Sequence, residues 1–319
     1  MSIVYDEVST RVAFGEALSE YAKTDDNVFA VSADTEKSMG FDKLAKEHPE
    51  RVFNVGIAEQ NMMLVGAGIA ASGGKAYVAT YAPFASMRIL EQIRTFAAYP
   101  KLDVKVISGL AGLAGDIEGV THQGIEDVSL LRSIPNMVVV VPADAASTRA
   151  ITQKISEYDG PVYLSIGRNK VPKVFDDSYT FKIGKANIVK AEGNDAAVIF
   201  NGATTNRVFE AEKSLREKGY NVQLIEMPCV KPIDKEAIIK AAKETGAIIT
   251  VEENNIIGGL GGAVAEVLGE NYPTLMKRIG IDDLYTESGT HEQLLDKYNF
   301  TPKHIEEVII ETINKKEFK

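Results

Sequence analysis

The amino-acid sequence predicts an α/β protein, a doubly wound, mostly parallel sheet followed by a second, smaller α/β domain. Three observations carry this prediction. The chain has 319 residues, more than one ordinary core accommodates. Apolar runs of strand length alternate with helically periodic segments through roughly the first 165 residues, the rhythm of parallel βαβ units. Those runs are continuous rather than alternating, as in strands covered on both faces.

Ser9 or Thr10 can cap a first helix, and Val12, Ala13, Ala17, Leu18 and Tyr21 recur at helical spacing over 10–23. The run 27–33 (NVFAVSA) reads as a buried strand. Asp34, Thr35 and Ser38 follow its carboxyl end, the edge at which open α/β sheets bind ligands. A short strand over 52–55 stops at Gly56, and Glu59 falls on the first turn of an Ala/Met/Gly-rich helix. Next come a strand over 76–81, a helix over 84–99, a strand over 104–108 and a helix over 125–132. A strand over 137–142, a helix over 145–158 entered from Asp144, and a strand over 162–166 complete the first unit. Residues 169–192 lose the rhythm, contain Pro172 and leave room for a hairpin around Gly184, so they read as a linker between domains at 1–168 and 193–319. The second domain reads as strands over 196–200, 222–226, 247–251 and 276–281. Helices are expected over 205–218, 234–245, from the GGLGG run at 258–262 through Leu268, and over 304–313.

Composition excludes several classes. A formal net charge of −10 leaves no basic face for neutralising nucleic-acid phosphates, although a local cationic pocket for one small anion remains open. The single cysteine, Cys229 in LIEMPCV, excludes an internal disulfide framework and cysteine metal clusters and reads as a core thiol. Four scattered histidines show no metal-ligand spacing. No segment has the character of a leader or of a bilayer span of about 18 apolar residues, so no membrane association and a cytoplasmic location are expected.

Several residues are candidates for chemistry. Glu59 is either a buried acid or a carboxylate complementing a helix dipole. The loop 109–123 (GLAGLAGDIEGVTHQ) packs glycines, Asp116, Glu118, Thr121 and His122 after a strand's carboxyl end. Tyr81 and Phe84, with Met87 and Arg88, follow another strand end and could be core or could wall a flat heterocycle. Arg11 and Arg168 lie near the ends of elements and could bind an anion bidentately or be solvated. GGLGG is not a GxGxxG loop, and the Glu252-Glu253 pair before it would repel a phosphate, which favours helix packing.

Six motifs in order then define a resemblance: STR at 9–11, SAD at 32–34 with Ser38, NVGIAEQNM at 54–62, ATYAPF at 79–84, EGVTHQ at 118–123 and SIGR at 165–168. Over essentially the whole chain the sequence resembles the C-terminal half of transketolase, of the kind encoded as a separate subunit. The resemblance implies a thiamine diphosphate pyrimidine-binding domain followed by the family's C-terminal domain. It implies that Glu59 contacts the pyrimidine nitrogen, with Tyr81, Phe84 and Met87 around the ring and His122 beside the reacting centre. Arg11, Ser38 and Arg168 would bind the sugar's anionic end, with Asp34 supporting the Arg11 region. Glu59 would favour the imino tautomer that deprotonates the thiazolium carbon, and an apolar site formed by Ile57, Ala58, Met62 and Met63 would raise its pKa. The reaction implied is transfer of a two-carbon ketol unit from a ketose to an aldose.

Two departures qualify these implications. The GDG...N signature that holds the diphosphate through Mg2+ or Ca2+ is absent. The chain is therefore expected to act only with an N-terminal partner subunit, in a heterotetramer of two copies of each chain. Leu110 stands where many transketolases have a phosphate-contacting histidine, and Met87 where they have an aromatic ring neighbour. This leaves open an anionic tail other than that of a plain sugar phosphate, with a sulfonate or a branched sugar phosphate as alternatives. Other readings are the β subunit of a 2-oxo acid dehydrogenase, a deoxyxylulose-phosphate synthase type protein, and a non-catalytic cofactor-binding subunit.

Overall fold

The structure, a computed structural model, describes residues 8–317. Two sheets organise it. The first has seven strands: β1 (Val28–Ser32), β2 (Val52–Asn54), β3 (Lys75–Tyr81), β4 (Val104–Gly109), β5 (Val138–Val140), β6 (Val162–Ser165) and, from much later in the chain, β10 (Cys229–Lys231). Their spatial order is β10-β5-β6-β4-β3-β1-β2, with all pairings parallel except the antiparallel β10–β5 edge. Helices α1 (Thr10–Ala22), α2 (Asp42–Glu47) and α6 (Ala145–Ser156) cover one face. Helices α3 (Glu59–Ala71), α4 (Leu90–Ile93) and α5 (Asp127–Ser133) cover the other. The apolar core thus lies in two layers, one on each side of the sheet, as a doubly wound arrangement requires.

The second sheet contains β7 (Asn187–Lys190), β8 (Ala196–Phe200), β9 (Val222–Glu226), β11 (Ala247–Asn255) and β12 (Leu275–Ile281) in the order β12-β11-β8-β9-β7. It packs against α7 (Thr205–Glu217), α8 (Lys235–Thr245), α9 (Leu260–Asn271), α10 (His291–Lys297) and α11 (Pro302–Glu317). No helix among the described residues is long and apolar enough to cross a membrane.

Sequence features specify several boundaries. Ser9 accepts from the Val12 amide at the start of α1. Asp144 and Ser147 form a reciprocal capping box on α6, and the second Asp144 oxygen accepts from the amides of Val174 and Phe175. Cys229 is fully buried on β10, and burial pushes its thiol up to about 12.

Two expectations need correction, and three elements are unforeseen. Residues 169–192 are not wholly a linker: 187–190 form β7, which pairs antiparallel with β9 and closes the second sheet's edge. The helix expected over 84–99 is interrupted, with π-type turns at Phe84–Arg88 and Arg94–Ala98 on either side of α4. Such wide turns insert an extra residue and re-aim side chains, and here Phe84 and Arg88 are the residues redirected. The short helices α2 and α10 and the strand β10 have no counterpart in the sequence pattern, since each is too brief to show periodicity.

Candidate active site

The carboxyl ends of β1, β3, β4 and β6 point to one region, and most of the candidate residues lie there. At the start of α3, the Glu59 side chain is almost fully buried, with Met62 and Met63 beneath it at zero exposure. Its surroundings are not wholly apolar as expected. Ile57 is 78 % exposed, and the Arg88 guanidinium donates to Glu59 Oε1 at 2.6 Å. The same guanidinium lies 4.1 Å above the Phe84 ring. A planar N–H donor is thereby stacked on an aromatic face and bonded to a buried carboxylate. That arrangement also suits a flat nitrogen heterocycle, so the aminopyrimidine of thiamine diphosphate fits these residues.

Phe84 belongs to a three-ring cluster with Tyr81 and His122, whose centroids lie 5.5 to 6.1 Å apart. Thr121 Oγ1 shares a 2.9 Å hydrogen bond with His122 Nδ1, leaving the other ring nitrogen free of that contact. Met87, on the same turn as Phe84, is half exposed.

Tyr81 also lines a neighbouring cleft, with Arg11, Asp34, Thr35, Lys37 and Ser38. The Tyr81 hydroxyl donates to Ser38 Oγ at 3.1 Å and Arg11 Nη1 donates to the Ser38 carbonyl at 2.8 Å. This junction depends on a close backbone approach: a Cβ on Gly15 of α1 would lie 2.0 Å from the Gly40 carbonyl oxygen. Burial and then the like charge of Arg168 lower the Arg11 pKa. Arg168 is balanced by Glu118 at 2.9 Å and Asp116 at 3.6 Å. Asp34 does not support Arg11 directly; its amide donates to Asn54 Oδ1 at 3.0 Å. Leu110 is buried at positive φ, 60°.

The site also includes residues to which the sequence alone assigns no role. Lys37 adds a cation to the cleft, and its only sequence signal is its place just beyond a strand end. Arg88 is visible in the sequence as a neighbour of Phe84 but its partner Glu59 is not, because the two are 29 residues apart. Glu252 and Glu253 have separate uses. Glu252 accepts from the Leu260 and Gly261 amides at the start of α9, and burial raises it to about 7. Glu253 Oε1 accepts from the Leu113 amide at 2.6 Å and meets His291 Nε2 at 2.8 Å. GGLGG therefore serves a helix start already filled by a carboxylate, as the acidic pair suggested.

Burial opposes charging of His291, but the Glu253 carboxylate, followed by Asp116 and Glu292, outweighs it and holds the pKa above the ordinary value. A pKa raised in the folded state contributes stability that is complete below the unfolded pKa of about 6.5 and is lost as pH rises through the folded value. Thermal unfolding followed between about pH 6 and about pH 9 should therefore show a steeper decline in Tm for the native chain than for His291→Asn. Parallel curves would remove this role.

Comparison with known proteins agrees with the fold. Residues 6–173 match the transketolase pyrimidine-binding domain and residues 184–305 the transketolase C-terminal domain. The chain belongs to the transketolase family, whose members depend on thiamine diphosphate. It is 38% identical to one of the subunits of the apulose-4-phosphate transketolase of Phocaeicola vulgatus, over 97% of this chain and 98% of that protein. It is 35% identical to the 6-deoxy-6-sulfo-D-fructose transketolase subunit SqwH of a Clostridium species, over 97% and 96%. A solved split-gene transketolase, described as an inactive beta4 tetramer, superposes with a TM-score of 0.88 at 41% identity, covering 97% of this chain and 99% of that one. Among the described residues no cluster of three or more His, Cys, Asp or Glu could hold a metal ion.

Proposed function

We propose that this chain is the pyrimidine-binding subunit of a two-chain transketolase. It transfers a two-carbon ketol unit from an anionic ketose to an aldose, completed by an N-terminal subunit that holds the diphosphate and its Mg2+ or Ca2+. The observation that carries this reading is the buried Glu59 carboxylate beside the Tyr81–Phe84–His122 cluster, one step from a cleft containing Arg11 and Lys37. When bound, thiamine diphosphate supplies the carbon nucleophile that attacks the ketose carbonyl. Glu59 holds a proton against the pyrimidine nitrogen, while Tyr81 and Phe84 fix the ring plane and exclude water. His122 moves a proton at the reacting end. Arg11, Lys37 and Arg168 bind the anion, with Ser38 and Asp34 shaping the cleft between them.

The relatives named for apulose 4-phosphate and for a sulfo-sugar support a substrate with a modified skeleton or tail, as does the aliphatic Leu110. Both relatives are named as subunits, which supports a partner chain, and a heterotetramer of two copies of each fits a site shared between subunits. The test is a product assay on the reconstituted pair, which should release an aldose from the ketose and no carbon dioxide. Carbon dioxide from a 2-oxo acid would replace this reading with the decarboxylating sister activity. Arg168→Ala should raise the donor KM about 10- to 100-fold while kcat falls less than about threefold. Equal effects on a neutral ketose would show that Arg168 does not read the anion.

A further inference from the structure

The 109–124 loop that carries His122 holds two non-glycine residues at positive φ, Leu110 at 60° and Asp116 at 55°. Such conformations persist where the surroundings over-determine them. Arg168 and Asn169 hold Asp116 from one side, and the second domain supplies surroundings on the other. Glu253 Oε1, at the carboxyl end of β11, takes the Leu113 amide at 2.6 Å, and His291 Nε2 lies 2.8 Å from the same oxygen. The approach is close enough that a Cβ on Gly112, itself at φ +57°, would meet the Glu253 carbonyl and carboxylate oxygens at 2.7 Å. At the other end, Gln123 Nε2 donates to Asp116 O within the loop at 3.2 Å and to Glu287 O across the domain boundary at 3.0 Å. The Thr286 hydroxyl donates to Gln123 Oε1. The Asn255 amide donates to Ile125 O at 2.8 Å just beyond the loop.

We propose that Glu253, backed by His291, and Thr286 are positioning residues of the second domain. Acting through Leu113 and Gln123, they hold His122 against the Tyr81–Phe84 wall. A carboxylate is a stronger acceptor for a buried amide than a neutral group, and two anchors on either side of His122 remove the freedom of a glycine-rich segment to relax. The neighbouring Glu252 touches α9 and not the loop, so adjacent buried carboxylates have separable effects. The kinetic part of the test rests on the proposed function, because it takes His122 to work at the reacting end, whereas the exchange part does not.

Amide hydrogen exchange on the full chain, read by mass spectrometry, compares the native protein with Glu253→Gln, Thr286→Val and the control Glu252→Gln. Exchange over 110–123 should rise about tenfold in the first two variants, while the control loosens only the start of α9. In the reconstituted pair, Thr286→Val should lower kcat about tenfold with donor KM within about twofold, since misplacing a reacting group costs turnover rather than ground-state binding. Should Glu253→Gln not fold, Thr286→Val, which exchanges a single hydroxyl for a methyl, carries the test. Unchanged loop exchange in Thr286→Val, or equal loosening by Glu252→Gln, overturns the proposal. A loosened loop with native kcat overturns the positioning role, while failure of both enzymes to transfer ketol units points to the proposed function instead.

Discussion

Glu59→Gln, in the chain assembled with the proposed diphosphate-binding partner, should lower ketol transfer by about a thousandfold, the scale of a lost acid–base group. The substitution keeps the shape of the side chain and its place over Met62 and Met63 but removes the acid that the proposed function sets against the pyrimidine nitrogen. Folding should be preserved. The ion pair it weakens joins Glu59 to an Arg88 side chain that is 45% exposed, and partly solvated pairs contribute little. The measurement is turnover together with hydrogen–deuterium exchange at the thiazolium carbon, with Tm as a check on folding. Near-native exchange at that carbon would remove Glu59 from activation whatever happened to turnover.

The second large effect concerns the partner. The purified chain with thiamine diphosphate and Mg2+ should show at least about a thousandfold less activity than the reconstituted pair, because an unheld cofactor forfeits the advantage of fixed orientation. In the proposed function its aromatic wall and the Glu59 carboxyl hold one end of the cofactor, and the sequence carries no GDG...N motif for the other. Titrating the partner into a fixed amount of this chain should raise activity until the two are equimolar. Full activity without the partner would reject the two-chain reading.

Much of the site is legible in the sequence because its residues lie just beyond strand ends, where an α/β sheet places ligands. Tyr81 and His122, 41 residues apart, both stand out on that basis, and the fold brings their rings to 5.5 Å. Arg88 shows the limit. Its proximity to Phe84 follows from sequence, but a π-type turn decides that it reaches Glu59. Glu253 is legible only as negative charge, since its partners Leu113 and His291 come from opposite halves of the chain. Likewise β10 leaves the second half to pair with β5, a non-local contact with no local signature.

By itself the sequence determined the alternating architecture, the buried strands and the set of residues at the ligand-binding edge, because periodicity and apolar runs are local properties that dictate which faces must be buried. Tertiary structure decided which of those residues meet. The Arg88–Glu59 pair, the joining of Arg11 to Ser38 beneath the Tyr81 hydroxyl, and the hold of Glu253 and Thr286 on the His122 loop all depend on chain segments brought together by packing. Distances of a few ångströms between residues far apart in sequence follow from how two sheets and their helices exclude water together, and no single stretch of the chain contains that information.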